Sequence, residues 1–273
     1  MHVSRIGLTA LKGTRHTDRA SVDLTLDGPV GDRVFCLVDR ARGRVVRTVE
    51  NTSLLRAVVT WEHGVLTAEL PAGTASGVPV ASGRPLDVDY WGRQVALEEV
   101  DGPWAAAFSA HLGHDVVLAR GRRGRPSGQF VYGGSVSLVT SSSLDRLREE
   151  TGTLVADASF RATFTIDTTG GPPDVEDRWA GRRLRLGAAE VEVVGGLPRC
   201  ALVDRDPVDG SRSSAALSAL ARYRRSPGGL LFGAHAVVTR AGRVAVSDVC
   251  ELVGSTASRA AGAGDLSTTA GRG

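Results

Sequence analysis

A cysteine preceded by proline and arginine opens a short apolar run, Leu197-Pro198-Arg199-Cys200-Ala201-Leu202-Val203, which ends in the turn residues Asp206-Pro207-Val208-Asp209-Gly210. A thiol on stiff backbone beside a permanent cation favours the thiolate, the form that attacks electrophiles and binds soft metals. A lone cysteine more often serves as a small core hydrophobe, and this window alone leaves both readings open. Lys12 stands out by rarity, as the single lysine among 33 basic side chains. Such a residue marks a site needing a compact, strongly hydrated ammonium, or it is chance. Arg161, in Phe160-Arg161-Ala162-Thr163, reads as a cation on an alternating strand over residues 158–166, opposite Phe160 and Ala162. If it points inward it needs an anion. Thr140-Ser141-Ser142-Ser143 stands where a strand runs into a helix; the free amides and hydroxyls there make either an anion site or simply a cap, with Ser142 and Asp145 as a capping-box-like pair. His111 and His114, three apart at a helix end, are either a metal-binding pair or dipole-compensating residues; no acid or cysteine partner is close in sequence.

These segments, in this order, resemble the MOSC family, named for the C-terminal domain of molybdenum-cofactor sulfurase, and within it the amidoxime-reducing components and their bacterial counterparts. Arg199, Cys200, Asp206, Pro207 and Gly210 match its cysteine motif. Lys12 and Arg33 fall on the lysine turn and the Gly-Asp-Arg of its N-terminal barrel, and Phe160-Arg161 on its Phe-Arg-x-Asn segment. Thr140, Ser141 and Ser142 fall on its strand-to-helix segment, and Phe232-Gly233 precedes a strand as in the family. The chain departs from the pattern at Gly13, where the family has serine and where Thr14 is the candidate replacement. It departs again at Thr163 for asparagine and at Ser247-Asp248 for Gly-Asp.

The resemblance implies a molybdenum cofactor (molybdopterin) between a small N-terminal barrel and the MOSC domain. Cys200 would be metal ligand and catalytic residue, and Lys12, Arg33, Thr140, Ser141, Ser142, Arg161, Thr163 and Arg199 would hold the cofactor. The implied reaction is reduction of N-hydroxylated or N-oxide-type small molecules. The sequence shows no flavin, haem or iron–sulfur motif, so electrons are expected from a separate flavin or iron–sulfur reductase. The alternative is a cofactor-free MOSC protein whose Cys200 carries sulfur as a persulfide or acts as a nucleophile in a sulfur-transfer or lyase reaction.

The elements that must position these residues read as strands. The chain of 273 residues is 42% hydrophobic and 23% charged, with a net charge of +3, an ordinary globular composition. That charge, with no aromatic-and-basic motif, argues against nucleic-acid binding. The odd set Cys36, Cys200 and Cys250 has no metal-finger spacing and argues against a disulfide framework. Cys36 and Cys250 lie in apolar strand patterns and read as structural. No apolar stretch reaches about 18 residues and no charged-then-apolar leader is seen, so a soluble, cytoplasmic protein without membrane contact is expected.

Alternating segments separated by Gly/Pro/Ser turns predict a mainly β fold with a few helices, α+β in class, built as a β-barrel MOSC domain and a smaller N-terminal β-barrel-like domain. Helices are expected from Asp101-Gly102-Pro103 to Gly113, from Ser142 to Gly152, and from Ser213 to Arg225. The predicted division is 1–120 for the N-terminal barrel, 121–253 for the MOSC domain and 254–273 for a disordered tail. The basic stretch 120–128 is its linker or an anion-attracting lip.

Overall fold

In the protein's structure, a computed structural model, residues 1–121 and 133–254 are described. Most of the expected basic linker and of the expected tail lies outside the described residues. The fold is mainly β with three α-helices among the described residues. Five strands, Phe35–Asp39, Arg44–Val45, Val80–Tyr90, Arg93–Asp101 and Val116–Gly121, close into a barrel. Their alternation puts Cys36, Val38, Val88, Val95 and Leu97 inside it. A three-stranded meander, Val58–Glu62, Val65–Leu70 and Gly73–Gly77, packs against helix α1 (Trp104–Leu112) over a second core that includes Phe35, Leu54, Trp104 and Phe108.

The C-terminal strands belong to a nine-stranded sheet. Val136–Thr140 runs parallel to Phe164–Asp167 and antiparallel to the long strand Gly229–Arg240, which pairs in turn with Ala189–Pro198. The first strand of the chain, His2–Leu8, also lies in this sheet, antiparallel to Phe164–Asp167. Ser21–Thr25 likewise pairs with Gly242–Ala245 near the other end of the sequence. The turn that follows His2–Leu8, carrying Lys12, is therefore held between the barrel and the C-terminal sheet: Lys12 N–H donates to Phe35 O at 2.8 Å and Gly7 N–H to Thr163 O at 3.0 Å.

Local structure corrects four sequence expectations. Residues 158–166 are not one strand. Asp157–Phe160 is a 3-10 turn, Arg161 takes a left-handed φ of 52°, and the strand is only Phe164–Asp167. Tertiary packing overrides the alternation, because Phe160 stacks on Phe232 with ring centroids 4.5 Å apart. Helix α2 (Ser141–Thr151) is capped by Thr140, whose hydroxyl accepts from Ser143 N–H, while Asp145 bonds Arg148 instead of closing a box with Ser142. Helix α1 has no side-chain cap, since Asp101 bonds Arg84 at 2.6 Å. Helix α3 (Ala216–Tyr223) starts after Ser213 and is capped from outside by Asp204, whose Oδ1 accepts Leu217 N–H at 2.8 Å. The expected stops at Gly113 and Gly152 are both left-handed caps. No helix among the described residues is long and apolar enough to cross a membrane.

Candidate functional site

Cys200 follows the last residue of strand Ala189–Pro198 by two positions and precedes the 3-10 turn Ala201–Asp204. Its side chain is exposed, whereas Cys36 and Cys250 are buried. Burial pushes both of those thiols up to about 12, so they stay protonated and inert at neutral pH. The turn after Cys200 is fixed by its own chemistry. Asp206 Oδ1 accepts Val208 N–H at 2.7 Å and Asp209 N–H at 3.1 Å, and Gly210 N–H returns to Asp206 O at 3.0 Å. Gly210 has φ 78°, and a Cβ there would stand 2.3 Å from Thr52 O. The Asp-Pro-x-x-Gly motif thus docks the cysteine segment onto the N-terminal half.

Next to Cys200, the Arg199 guanidinium is clamped on two sides, with Nε donating to Phe232 O and Nη1 to Phe160 O, both at 2.7 Å. Its Nη2 is buried without a partner. Burial lowers Arg199 to about 10, opposed by Cys200 and then Glu176. Arg199 lines a cavity of about 230 Å³ together with Lys12, Arg161, Thr48, Tyr90 and Ser137. Lys12 Nζ lies 5.1 Å from the Tyr90 ring centroid. Burial, with Arg161 and Arg33 adding repulsion, brings Lys12 down to about 8. Arg161 falls to about 9, first by burial and then by Arg33; Asp32 opposes the shift, but its carboxylate is bonded to Arg33. Among the described residues no carboxylate lies within ion-pair distance of Lys12, Arg161 or Arg199. A thiolate at Cys200 favours the charged form of all three, so the thiol is within electrostatic reach of each. Chemically, three buried cations without a paired carboxylate suit an anion, and the exposed Cys200 follows the lining residue Arg199 directly in the chain.

The residues singled out from sequence fall into three groups. Lys12, Arg33, Arg161 and Arg199 all line the cavity, and Cys200 adjoins it. Thr163 is fully buried behind the wall and braces Ser137, each donating its N–H to the other's hydroxyl at 3.0–3.1 Å. Thr140, Ser141 and Ser142 do not line the cavity: they sit at the far end of the strand that begins near Ser137. There Thr140 bonds Glu176 at 2.7 Å, Ser141 bonds Asp167 at 3.2 Å and Ser142 bonds Thr168 at 2.7 Å. Thr14 does not replace the serine missing at Gly13, because its buried hydroxyl closes the turn onto Leu11 O at 2.8 Å. Thr48 does stand there, its Oγ1 2.6 Å from where a Gly13 Cβ would be. His111 bonds Ser53 O at 2.9 Å and His114 approaches Leu112 O at 3.2 Å, and no metal-binding cluster occurs among the described residues. Thr48, Tyr90 and Ser137 carry no sequence signal of their own; only the closure of the barrel and the sheet brings them to Lys12.

Comparison with known proteins places this arrangement in context. Residues 126–251 match the MOSC domain. Molybdenum cofactor sulfurase of Oryza sativa is 26% identical over 268 residues, covering 85% of this chain and 32% of the relative. That of Aspergillus niger is 25% identical, covering 81% and 36%. The chain therefore spans about a third of the length of these curated relatives. Among solved structures, the YuaD protein from Bacillus subtilis is 12% identical with a TM-score of 0.42, covering 90% of this chain and 91% of that one.

Proposed function

We propose, from the match of residues 126–251 to the MOSC domain, that the protein is a molybdenum-cofactor-dependent oxidoreductase reducing N-hydroxylated or N-oxide-type small molecules, with electrons drawn from a separate flavin or iron–sulfur reductase. One observation carries the reading: Lys12, Arg161 and Arg199 converge on a single cavity with no carboxylate paired to them, and the exposed Cys200 directly follows the lining residue Arg199. These groups fit an anionic pterin cofactor. The buried, unpartnered Arg199 Nη2 calls for an acceptor, and an exposed thiol suits a soft metal held by a dithiolene. When bound, that cofactor supplies two-electron oxygen-removal chemistry.

The chain's own contributions are binding and orientation. Lys12 and Arg161 hold the phosphate end through charge-assisted hydrogen bonds. Arg199, fixed by its two carbonyl contacts, sets the position of the adjoining Cys200. Ser137 and Thr48 offer hydroxyls in the wall, and Leu197 and Leu202 give it an apolar side. The test is turnover: protein loaded with the cofactor and supplied with a reduced viologen should oxidise it in the presence of an N-hydroxylated amidine, and Cys200→Ser should abolish this. A fully loaded wild type without turnover across N-hydroxylated and N-oxide compounds would contradict the reading.

A second reading is favoured by the exposure of Cys200 together with relatives named as molybdenum cofactor sulfurases. Here the Cys200 thiolate attacks the outer sulfur of a donor persulfide, the S–S bond of the donor breaks, and the donor leaves as a thiolate. Intact-mass analysis after exposure to a persulfide donor decides it: a gain of one sulfur atom, absent in Cys200→Ser, is the expected mark.

A further inference from the structure

Arg33 lines the cavity, yet both of its terminal nitrogens are engaged by the protein. Nη1 bonds the Asp32 carboxylate, and Nη2 contacts His16 Nε2 and Arg161 O, each at 3.0 Å. The backbone around it is tied in the same direction, with Thr9 N–H on Asp32 Oδ1 at 3.0 Å and Arg33 N–H on Thr9 O at 2.6 Å. Arg33 and Arg161 both hold left-handed φ values, 45° and 52°. A side-chain-bearing residue keeps that conformation only where its surroundings impose it. His16 is 7% exposed. Burial, then Arg161, Arg33 and Arg5, hold it well below the ordinary histidine value, so the ring is neutral. A neutral ring that accepts at Nε2 carries its proton on Nδ1.

We propose that Arg33 and His16 are positioning residues: together they bracket the Arg161 backbone in the left-handed turn that presents its guanidinium to the cavity, and Arg33 is not itself an anion ligand. The inference rests on the reading of this cavity as an anion site. An imidazole suits the bracket because it accepts from Arg33 without adding negative charge, which a carboxylate at position 16 would place next to the anion. Asp32 already supplies one carboxylate on the far nitrogen of Arg33.

Lys12 offers a readout that no global change in stability imitates. It is the single lysine, so lysine labelled at the ε-carbon gives one side-chain signal. Its midpoint senses Arg161 and Arg33 directly, and His16 is not among its perturbers. In wild type the midpoint should lie at about 8. His16→Leu removes the acceptor without changing charge. We expect the Lys12 midpoint to rise as the Arg161 guanidinium withdraws, and affinity for inorganic sulfate to fall roughly three- to tenfold, the worth of one hydrogen bond. His16→Gln, which keeps an acceptor, should restore both. Arg33→Lys, which keeps the charge but loses the fork, should repeat the rise and covers the case in which His16→Leu does not fold. A wild-type midpoint and wild-type sulfate affinity in either substituted protein would overturn the proposal. A raised midpoint in His16→Leu, with no sulfate binding even by wild type, would support the bracket and overturn the anion reading instead.

Discussion

Lys12, Arg161 and Arg199 are each displaced from their ordinary values chiefly by burial, and in Lys12 and Arg161 the neighbouring cations add to the shift. An anion in the cavity reverses that displacement, so binding and protonation are linked. In the free protein Lys12 releases its proton near pH 8, whereas the anion-bound form retains it to higher pH. Affinity for sulfate, whose charge is constant over this range, should therefore be full below pH 8. It should fall above it by up to about tenfold per pH unit. Isothermal titration from pH 7 to 9.5 checks this, and a flat profile would remove Lys12 from the site. Without ligand the sign is opposite for folding: the unfolded chain binds more protons between about 8 and 10.5, so the Lys12 contribution to stability rises with pH through that window. At this scale much was legible in the sequence. Cys200, Lys12, Arg161 and Arg199 were visible by type and neighbourhood, but the division of labour between Arg33 and Arg161 was not. That division depends on which donors the protein itself engages.

The rigidity of the cysteine segment comes from its elements. Gly210→Ala places a Cβ 2.3 Å from Thr52 O on a left-handed backbone, which should cost about 2–4 kcal/mol and lower the urea midpoint with an unchanged m-value. Asp204→Ala removes the acceptor of Leu217 N–H at the start of α3 and should cost about 1 kcal/mol in the same assay. The cysteine motif was legible as a turn because Asp, Pro and Gly each announce one. The start of α2 was legible as a helix N-terminus, but the direction it faces was not. Thr140, Ser141 and Ser142 read in sequence as either an anion site or a cap, and the structure shows the cap, with Glu176, Asp167 and Thr168 occupying their hydroxyls. The alternation across 158–166 misled for a related reason. Stacking of Phe160 on Phe232 favours a tight turn over a continued strand.

The whole molecule is interleaved. His2–Leu8 and Ser21–Thr25 come from the first part of the chain yet pair with Phe164–Asp167 and Gly242–Ala245. A fragment limited to residues 121–254 loses both partners and uncovers two sheet edges, so it should fail to give the dispersed amide spectrum of the full chain. A well-dispersed spectrum from that fragment would show that the pairing is dispensable. Strand spacing made the mainly β class readable. The return of the N-terminal strand to the C-terminal sheet was not readable, since alternation reveals a strand but not its neighbour. That return sets the Lys12 turn opposite Arg199 and Cys200, and so creates the cavity.

The most direct test of this account is elemental analysis for molybdenum in protein produced by a cofactor-competent host, comparing wild type with Cys200→Ser and Arg161→Gln. About one molybdenum per wild-type chain is expected, with a labile or reduced content in Cys200→Ser as the metal loses its thiolate, and weaker retention in Arg161→Gln as the anion loses a cation. Wild-type protein without molybdenum, under conditions in which a molybdenum-binding MOSC protein loads, would contradict it.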